Sequence, residues 1–335
     1  MFLNHHGQKM RVDKKQVYYK NPNFSLALLN LKYLPSWILF GILYSSSFLP
    51  LGLQRYLGKI LGSILHKASP HRKEIAEINL RLCFPNKTEK EIKKMVLENF
   101  YNIGTGFFEM AFAWWASDKR IRNLEISFKN KELFQEAEKE NVGMLVLVRH
   151  STHLELDARL LCLDLNMGGM FKEQSNEIYN YLMIKARNKY AQPCFTNHEG
   201  RIAIDSIQDG IKLIYAADQD YGEKVSNFIP FYNNDAATVT LPASLSKTGT
   251  RVAMIDVRKT AKGFCIEAFE LQQCAEEREF LIQVNQGYEE MITKAPEEFL
   301  WMHRRFKSQP NNKKIIYPAW KSRDSKRQKA RDKRI

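Results

Sequence analysis

Disulfide frameworks and zinc ribbons are excluded by a shortage of cysteine. There are five in 335 residues (Cys83, Cys162, Cys194, Cys265 and Cys274), at wide, irregular spacing and with no C-x-x-C pair. Free, mostly buried thiols in a reducing compartment are expected. With 16 Gly and 11 Pro the chain is too poor in both to be fibrous or low in complexity. It has no G-x-S-x-G elbow and no H-E-x-x-H helix, so neither a serine hydrolase nor a zinc protease is indicated. What is present is ordinary globular composition, 44% hydrophobic and 26% charged, in a chain long enough to bury a core without staples.

Acidic residues are scarce relative to basic ones, and the net charge is +14. Its distribution decides what it means. Residues 304–335 carry +11 and residues 1–20 carry +4, so the 283 residues between them sum to −1. A nucleic-acid binder spreads basic surface over its folded body, and this chain does not, so no nucleic-acid partner is expected. Terminal basic clusters suit an anionic membrane surface.

Residues 33–54 contain no charged side chain, and as one helix these 22 residues would reach roughly 33 Å, about a bilayer's hydrocarbon thickness. Pro35, Pro50 and the run Ser45, Ser46, Ser47 argue against a simple span. Basic residues on both flanks conflict with the preference of Lys and Arg for one side of the membrane, whereas a helix or broken hairpin lying in one leaflet satisfies it. The polar run before the segment is too long for a cleaved signal peptide.

From Gln54 to about Ser117 the apolar spacing is helical, with Thr88 and Glu91 forming a capping box after a break at Pro85. Phe107 to Trp115 (FFEMAFAWW) reads as a core helix or as one that lines an acyl-chain groove or rests in lipid. The period then changes. Met144–Val148 (MLVLV) is the continuous apolar run of a buried parallel strand, residues 212–217 look similar, and residues 252–257 and 264–269 alternate as antiparallel or edge strands do. Helices fall between them at residues 177–190, after Leu241 and at residues 276–295. The fold class is therefore α/β, a central mostly parallel sheet flanked by helices, preceded by a membrane-associated helical region. The expected segments are a basic stretch (1–32), an apolar anchor (33–54), a helical part (55–117), a sheet-containing catalytic part (118–310) and a basic, disordered tail (311–335).

Reactive groups in such sheets gather past the carboxyl ends of strands. MLVLV runs into Arg149 and then HSTHLELDARLL, which puts His150 at the strand end and Glu155 on the next helix. An imidazole takes a proton near neutral pH, and a carboxylate five positions on can orient it. No serine or cysteine nucleophile accompanies the pair, so the base must activate a hydroxyl brought by the substrate. His150, His153 and Glu155 lack a fourth ligand pattern, so no metal is expected.

The H-x-x-x-x-E spacing of His150 and Glu155 has company. Lys172 opens KEQSNEIYN, Arg187 lies 32 residues beyond Glu155, Asp218, Asp220 and Tyr221 fall in DQDYG, and Arg304 and Arg305 fall in APEEFLWMHRRFKSQP. In this order, from about Leu34 to Pro310, the segments resemble the bacterial lipid A late acyltransferases, the lauroyl and myristoyl transferases of lipopolysaccharide assembly, within the wider lysophospholipid acyltransferase superfamily. Lys172 stands where that family usually has arginine.

The resemblance implies an enzyme of the bacterial inner membrane, its catalytic domain on the cytoplasmic face. It would move an acyl chain from acyl carrier protein onto the hydroxyl of a 3-hydroxyacyl chain of a lipid A precursor, with no cofactor and no covalent acyl-enzyme. His150, held by Glu155, would deprotonate the hydroxyl. Arg187 would meet the developing oxyanion. Asp218 and Asp220 would orient Arg187 or the sugar, and Arg304 and Arg305 with Lys307 would grip phosphate. A lysophospholipid acceptor, or a non-enzymatic membrane-attached binder of anionic lipid or nucleic acid, are the alternative readings.

Overall fold

A computed structural model describes residues 22–310 and 316–318; residues 1–21 and most of the expected basic tail lie outside the described residues. The apolar stretch from residue 33 is broken in two, α1 (Leu34–Ser46) and α2 (Leu51–Ala68). Hydroxyls of Ser45, Ser46 and Ser47 donate to the carbonyls of Gly41, Leu43 and Tyr44, and Pro50, which has no N–H, then opens the second helix. No described helix is long and apolar enough to cross a membrane, and of the two arrangements left open for residues 33–54, one continuous helix or a broken hairpin, the chain forms two helices joined by a serine turn.

Next come α3 (Pro70–Cys83) and the long α4 (Glu89–Trp115), which opens on the expected box: Glu91 N–H donates to Thr88 Oγ1 at 3.3 Å, and Thr88 N–H donates to the Glu91 carboxylate at 2.8 Å. α2 crosses α4 through glycine. A Cβ on Gly104 would collide with Gly58 and Gly62, so only bare backbone permits this approach. All of residues 107–115 lie in α4, buried but for Phe107 and a half-buried Phe108 and Trp115.

After α5 (Asp118–Arg122) the chain builds its strands: β1 (Glu125–Lys129), β2 (Met144–Val148), β3 (Met167–Phe171), β4 (Cys194–Thr196), β5 (Lys212–Tyr215), the hairpin β6 (Ser226–Phe231) and β7 (Asn234–Val239), and β8 (Arg251–Lys259) with β9 (Gly263–Glu270). Between and after them lie α6 (Glu132–Lys139), α7 (Leu154–Leu161), α8 (Glu177–Arg187), α9 (Gly200–Gln208), α10 (Leu241–Lys247) and α11 (Glu277–Lys294). Seven strands form one sheet in the order β1-β9-β8-β2-β5-β3-β4, parallel everywhere except between β8 and β9. The antiparallel expectation for residues 252–269 therefore holds, but neither strand is an edge, because β1 covers β9.

Every residue of β2 is buried. Leu145 and Leu147 join a core with Ile75, Leu80 and Val284 on one face; Met144, Val146 and Val148 join Trp114, Leu156 and Ile178 on the other. Full burial of each such side chain is worth about 2 kcal/mol, which fixes the strand and with it the place where Arg149 and His150 leave its carboxyl end. The five cysteines are free, as composition implies, although only Cys83 is fully buried.

Candidate active site

β2 delivers two residues of opposite fate. The Arg149 side chain is buried and pairs with Asp256 of β8 at 2.8 Å and with Glu298 at 2.9 Å. His150 stays partly exposed. Its neighbour in the sheet is β5, with Leu147 opposite Tyr215, so the residues leaving β5 pass beside it. Asp218, three residues past β5, accepts the His150 backbone N–H at 2.6 Å and sits against His150 Nδ1 with its other oxygen. Burial alone would raise the Asp218 carboxyl, but the imidazole, the two hydrogen bonds from His150 and nearby Arg305 outweigh it and hold the group below the usual carboxylate range. Among the described residues no hydrogen bond occupies His150 Nε2. The His303 ring stacks on that of His150, centroids 6.1 Å apart.

Glu155 has other partners. In the first turn of α7 it accepts from Trp114 Nε1 at 2.8 Å and is held by Arg187 through Nε, at 3.2 Å, and Nη2. Burial pushes its carboxyl up, and Arg187 more than reverses the effect, so it ionises below its ordinary value; Arg187 is correspondingly raised despite its own burial. The expected His150–Glu155 pair is thus corrected. The link Ser151–His153 turns α7 so that its first turn faces α4 and the end of α8, while the imidazole faces β5. Sequence spacing brought the two residues near one another along the chain, and tertiary packing gave each a different mate.

Beneath the loop lies a buried ionic set that no motif singled out. His153 bonds Asp157 through Nδ1 at 2.5 Å and Glu298 through Nε2 at 3.1 Å. Desolvation lowers the His153 pKa, but these carboxylates more than compensate, leaving it raised to about 9, so the ring is a cation at neutral pH. Glu298, pushed up by burial and down by His153, Arg149 and Lys259, ends at about 2. The segment carrying Glu298 also grips the loop by backbone: Thr152 N–H donates to the Glu298 carbonyl at 2.7 Å, and Leu300 N–H to the His150 carbonyl at 2.9 Å. Gly106 of α4 backs the loop from the other side, where a Cβ would collide with the Thr152 carbonyl. One signal was available in sequence: Asp256 interrupts an otherwise apolar strand, and Glu109 interrupts FFEMAFAWW. Glu109 is fully buried between Lys259 at 2.8 Å and Arg55 at 3.2 Å.

The remaining expected residues fall in three places. Asp220 neither meets Arg187 nor opens toward a sugar. Its oxygens accept Ser308 N–H at 2.6 Å, Ser308 Oγ at 3.0 Å and Gly222 N–H at 2.9 Å, fastening the C-terminal segment to the turn after β5. Arg305, expected at a phosphate, points inward instead. It donates to the Ala237 carbonyl at 2.6 Å and to Thr238 Oγ1 at 3.2 Å and lies over the Phe231 ring, because β6 and β7 leave carbonyls that need a donor there. Tyr221 is 46% exposed, with its hydroxyl donating to the Ala216 carbonyl at 2.9 Å. Lys172 is exposed just beyond β3, and Arg304 is half-buried next to His303. Among the described residues no three His, Cys, Asp or Glu side chains converge as a metal-ligand set.

The sequence profile of the family described as bacterial lipid A biosynthesis acyltransferase matches residues 21–308. The chain is 30% identical over 297 residues to the lipid A biosynthesis lauroyltransferase of Escherichia coli (strain K12), covering 86% of this chain and 96% of that one. It is 28% identical over 301 residues to the lipid A biosynthesis palmitoleoyltransferase of the same organism, covering 88% and 98%. Identity to the lipid A biosynthesis myristoyltransferase is 25% over 277 residues, covering 78% and 84%.

Proposed function

The chain belongs to the bacterial lipid A biosynthesis acyltransferases, and from that membership we propose that it transfers an acyl group from the thioester of acyl carrier protein to a hydroxyl of a 3-hydroxyacyl chain on a lipid A precursor. His150 is the general base. The observation that carries this reading is the contact of Asp218 with Nδ1, which fixes the tautomer, stabilises the imidazolium and leaves Nε2 for the acceptor hydroxyl. The alkoxide attacks the thioester carbonyl, an ester forms, and the carrier thiolate leaves and takes the proton that His150 holds. Arg187, fixed by Glu155, is the cation that meets charge developing on the carbonyl oxygen, an interaction worth a few kcal/mol when well aimed. In this reading Glu155 positions Arg187, and the orienter of the base is Asp218.

We further propose that the reaction takes place at the cytoplasmic face of the bacterial inner membrane. Leu34, Ile38, Leu39 and Ile42 of α1, Phe48 of the turn, and Leu53, Tyr56 and Ile60 of α2 are all exposed, a larger apolar surface than a helix pair leaves in water without a use. Two short helices lying in one leaflet keep both basic flanks on one side.

Mass spectrometry of lipid A from cells lacking the protein tests the assignment. One secondary acyl chain should be missing, restored by the wild type and not by His150→Ala. Unchanged lipid A would end it. For the membrane arrangement, protease outside sealed vesicles of native orientation should leave the first thirty residues intact, and their removal would establish a span instead.

A further inference from the structure

At the end of the sheet beyond β8 there is a cavity of about 320 Å³ that takes no part in the proposed chemistry. Its wall combines Arg55 and Lys59 of α2 with Lys262 of the β8–β9 turn, and Leu51, Gly52 and Tyr56 complete most of the rest. No carboxylate lines it. Arg55, Lys59 and Leu51 are four apart along α2 and so share a helix face. Arg55 does pair with Glu109, but Lys259 also pairs with that carboxylate, so two cations meet one anion and the site keeps positive charge. The Nη2 of Arg55 is buried with no hydrogen-bond partner, so Glu109 does not saturate this guanidinium. Neither Lys59 nor Lys262 forms an ion pair with a described residue. The first turn of α2, which supplies Leu51 and Gly52, has no side-chain cap and no acidic residue, so its N–H groups add to the positive potential.

The geometry points to an anion site, and we propose that its ligand is the phosphate monoester of a membrane lipid headgroup. The lipid source is argued from position. The same helix exposes Leu53 at 43%, Tyr56 at 62% and Ile60 at 45%, and Tyr56 belongs to both surfaces, so the cations sit at the rim of the apolar face, where headgroup phosphates lie when that face is in a leaflet. For the identity of the phosphate bearer, though not for the anion site, this inference rests on the proposed one-leaflet arrangement.

The test is flotation of the full chain with phosphatidylcholine vesicles, plain or containing phosphatidic acid. Lys59→Gln/Lys262→Gln should weaken recovery on phosphatidic acid vesicles about tenfold and leave recovery on plain vesicles unchanged. A control that removes two cations from the start of α4, Lys90→Gln/Lys93→Gln, should cost less than about threefold. Equal losses in the two variants would reduce the effect to diffuse charge and overturn the site, as would full retention in the first. Since Arg55 also supports Glu109, it is probed by Arg55→Lys, which keeps the charge, removes the forked donors and should lose a similar preference while folding normally. A short-chain soluble phosphatidic acid should raise the melting temperature of the wild type and not of Lys59→Gln/Lys262→Gln. An equal rise from inorganic phosphate at the same concentration would overturn the lipid assignment. Normal binding of Ile38→Glu/Ile42→Glu to both vesicle types would remove the leaflet arrangement alone, because the soluble-lipid measurement reads the pocket without a membrane.

Discussion

The two carboxylate-centred pairs that flank the loop after β2 differ in what they leave open. At His150 and Asp218 the carboxylate is buried and the imidazole is 20% exposed, with one ring nitrogen engaged. Arg187 is exposed to nearly the same degree, 19%, but there the carboxylate is occupied by Arg187 and Trp114, and the guanidinium is spent on it through two nitrogens. A group that must exchange a proton needs an unspent nitrogen and access, whereas a group that holds a charge in place needs saturation. By that criterion the proposed base belongs to the first pair and the proposed oxyanion partner to the second, although the motif spacing alone pairs His150 with Glu155.

The sharpest way to break this contrast is His150→Ala, expected to lower acyl transfer by about 10³-fold or more with folding intact; retained transfer would remove the base. Asp218→Asn should cost on the order of 10²-fold, because the amide cannot stabilise an imidazolium, and should leave the acceptor KM nearly unchanged. If Glu155→Gln instead reproduced that signature, and Asp218→Asn did not, the roles would be reversed. Glu155→Ala strands a buried guanidinium, and about 3–5 kcal/mol of stability should be lost in denaturant titration, chiefly a folding defect.

A smaller effect separates the buried set under the loop from both pairs. His153 is raised from 6.5 to about 9 in the folded state, so its charge contributes stability that is fully present below the unfolded value and is lost as pH rises through about 9. The denaturation midpoint should therefore fall between pH 7 and 9.5, and a flat profile would show that this ring carries no charge. Least of all, Lys172→Ala, at an exposed position with no ion pair among the described residues, should change stability by within about 0.5 kcal/mol.

Much of the fold was legible because its signals are local. MLVLV is buried on both faces, Thr88 and Glu91 close the capping box, and the helices around residues 177–187, 241–247 and 277–294 follow apolar spacing. The site was legible as a list of residues and illegible as a set of partners. Asp218 stood in DQDYG, yet nothing in its surroundings says that β5 lies beside β2; Arg305 stood in a basic run, yet the carbonyl that claims it belongs to β7. Glu298 lay within APEEFLWMHRRFKSQP and gave no sign that it would meet Arg149 and His153.

From its sequence alone this chain determined the α/β class, the strand that presents His150 and the stock of charges around it, since these depend on periodicity and residue chemistry within short windows. Tertiary structure decided which carboxylate faces the imidazole, which arginines stay in the core and where the apolar helices break and turn outward. Those outcomes depend on strand order and helix packing, which join residues 68 positions apart at His150 and Asp218 and which no local pattern encodes.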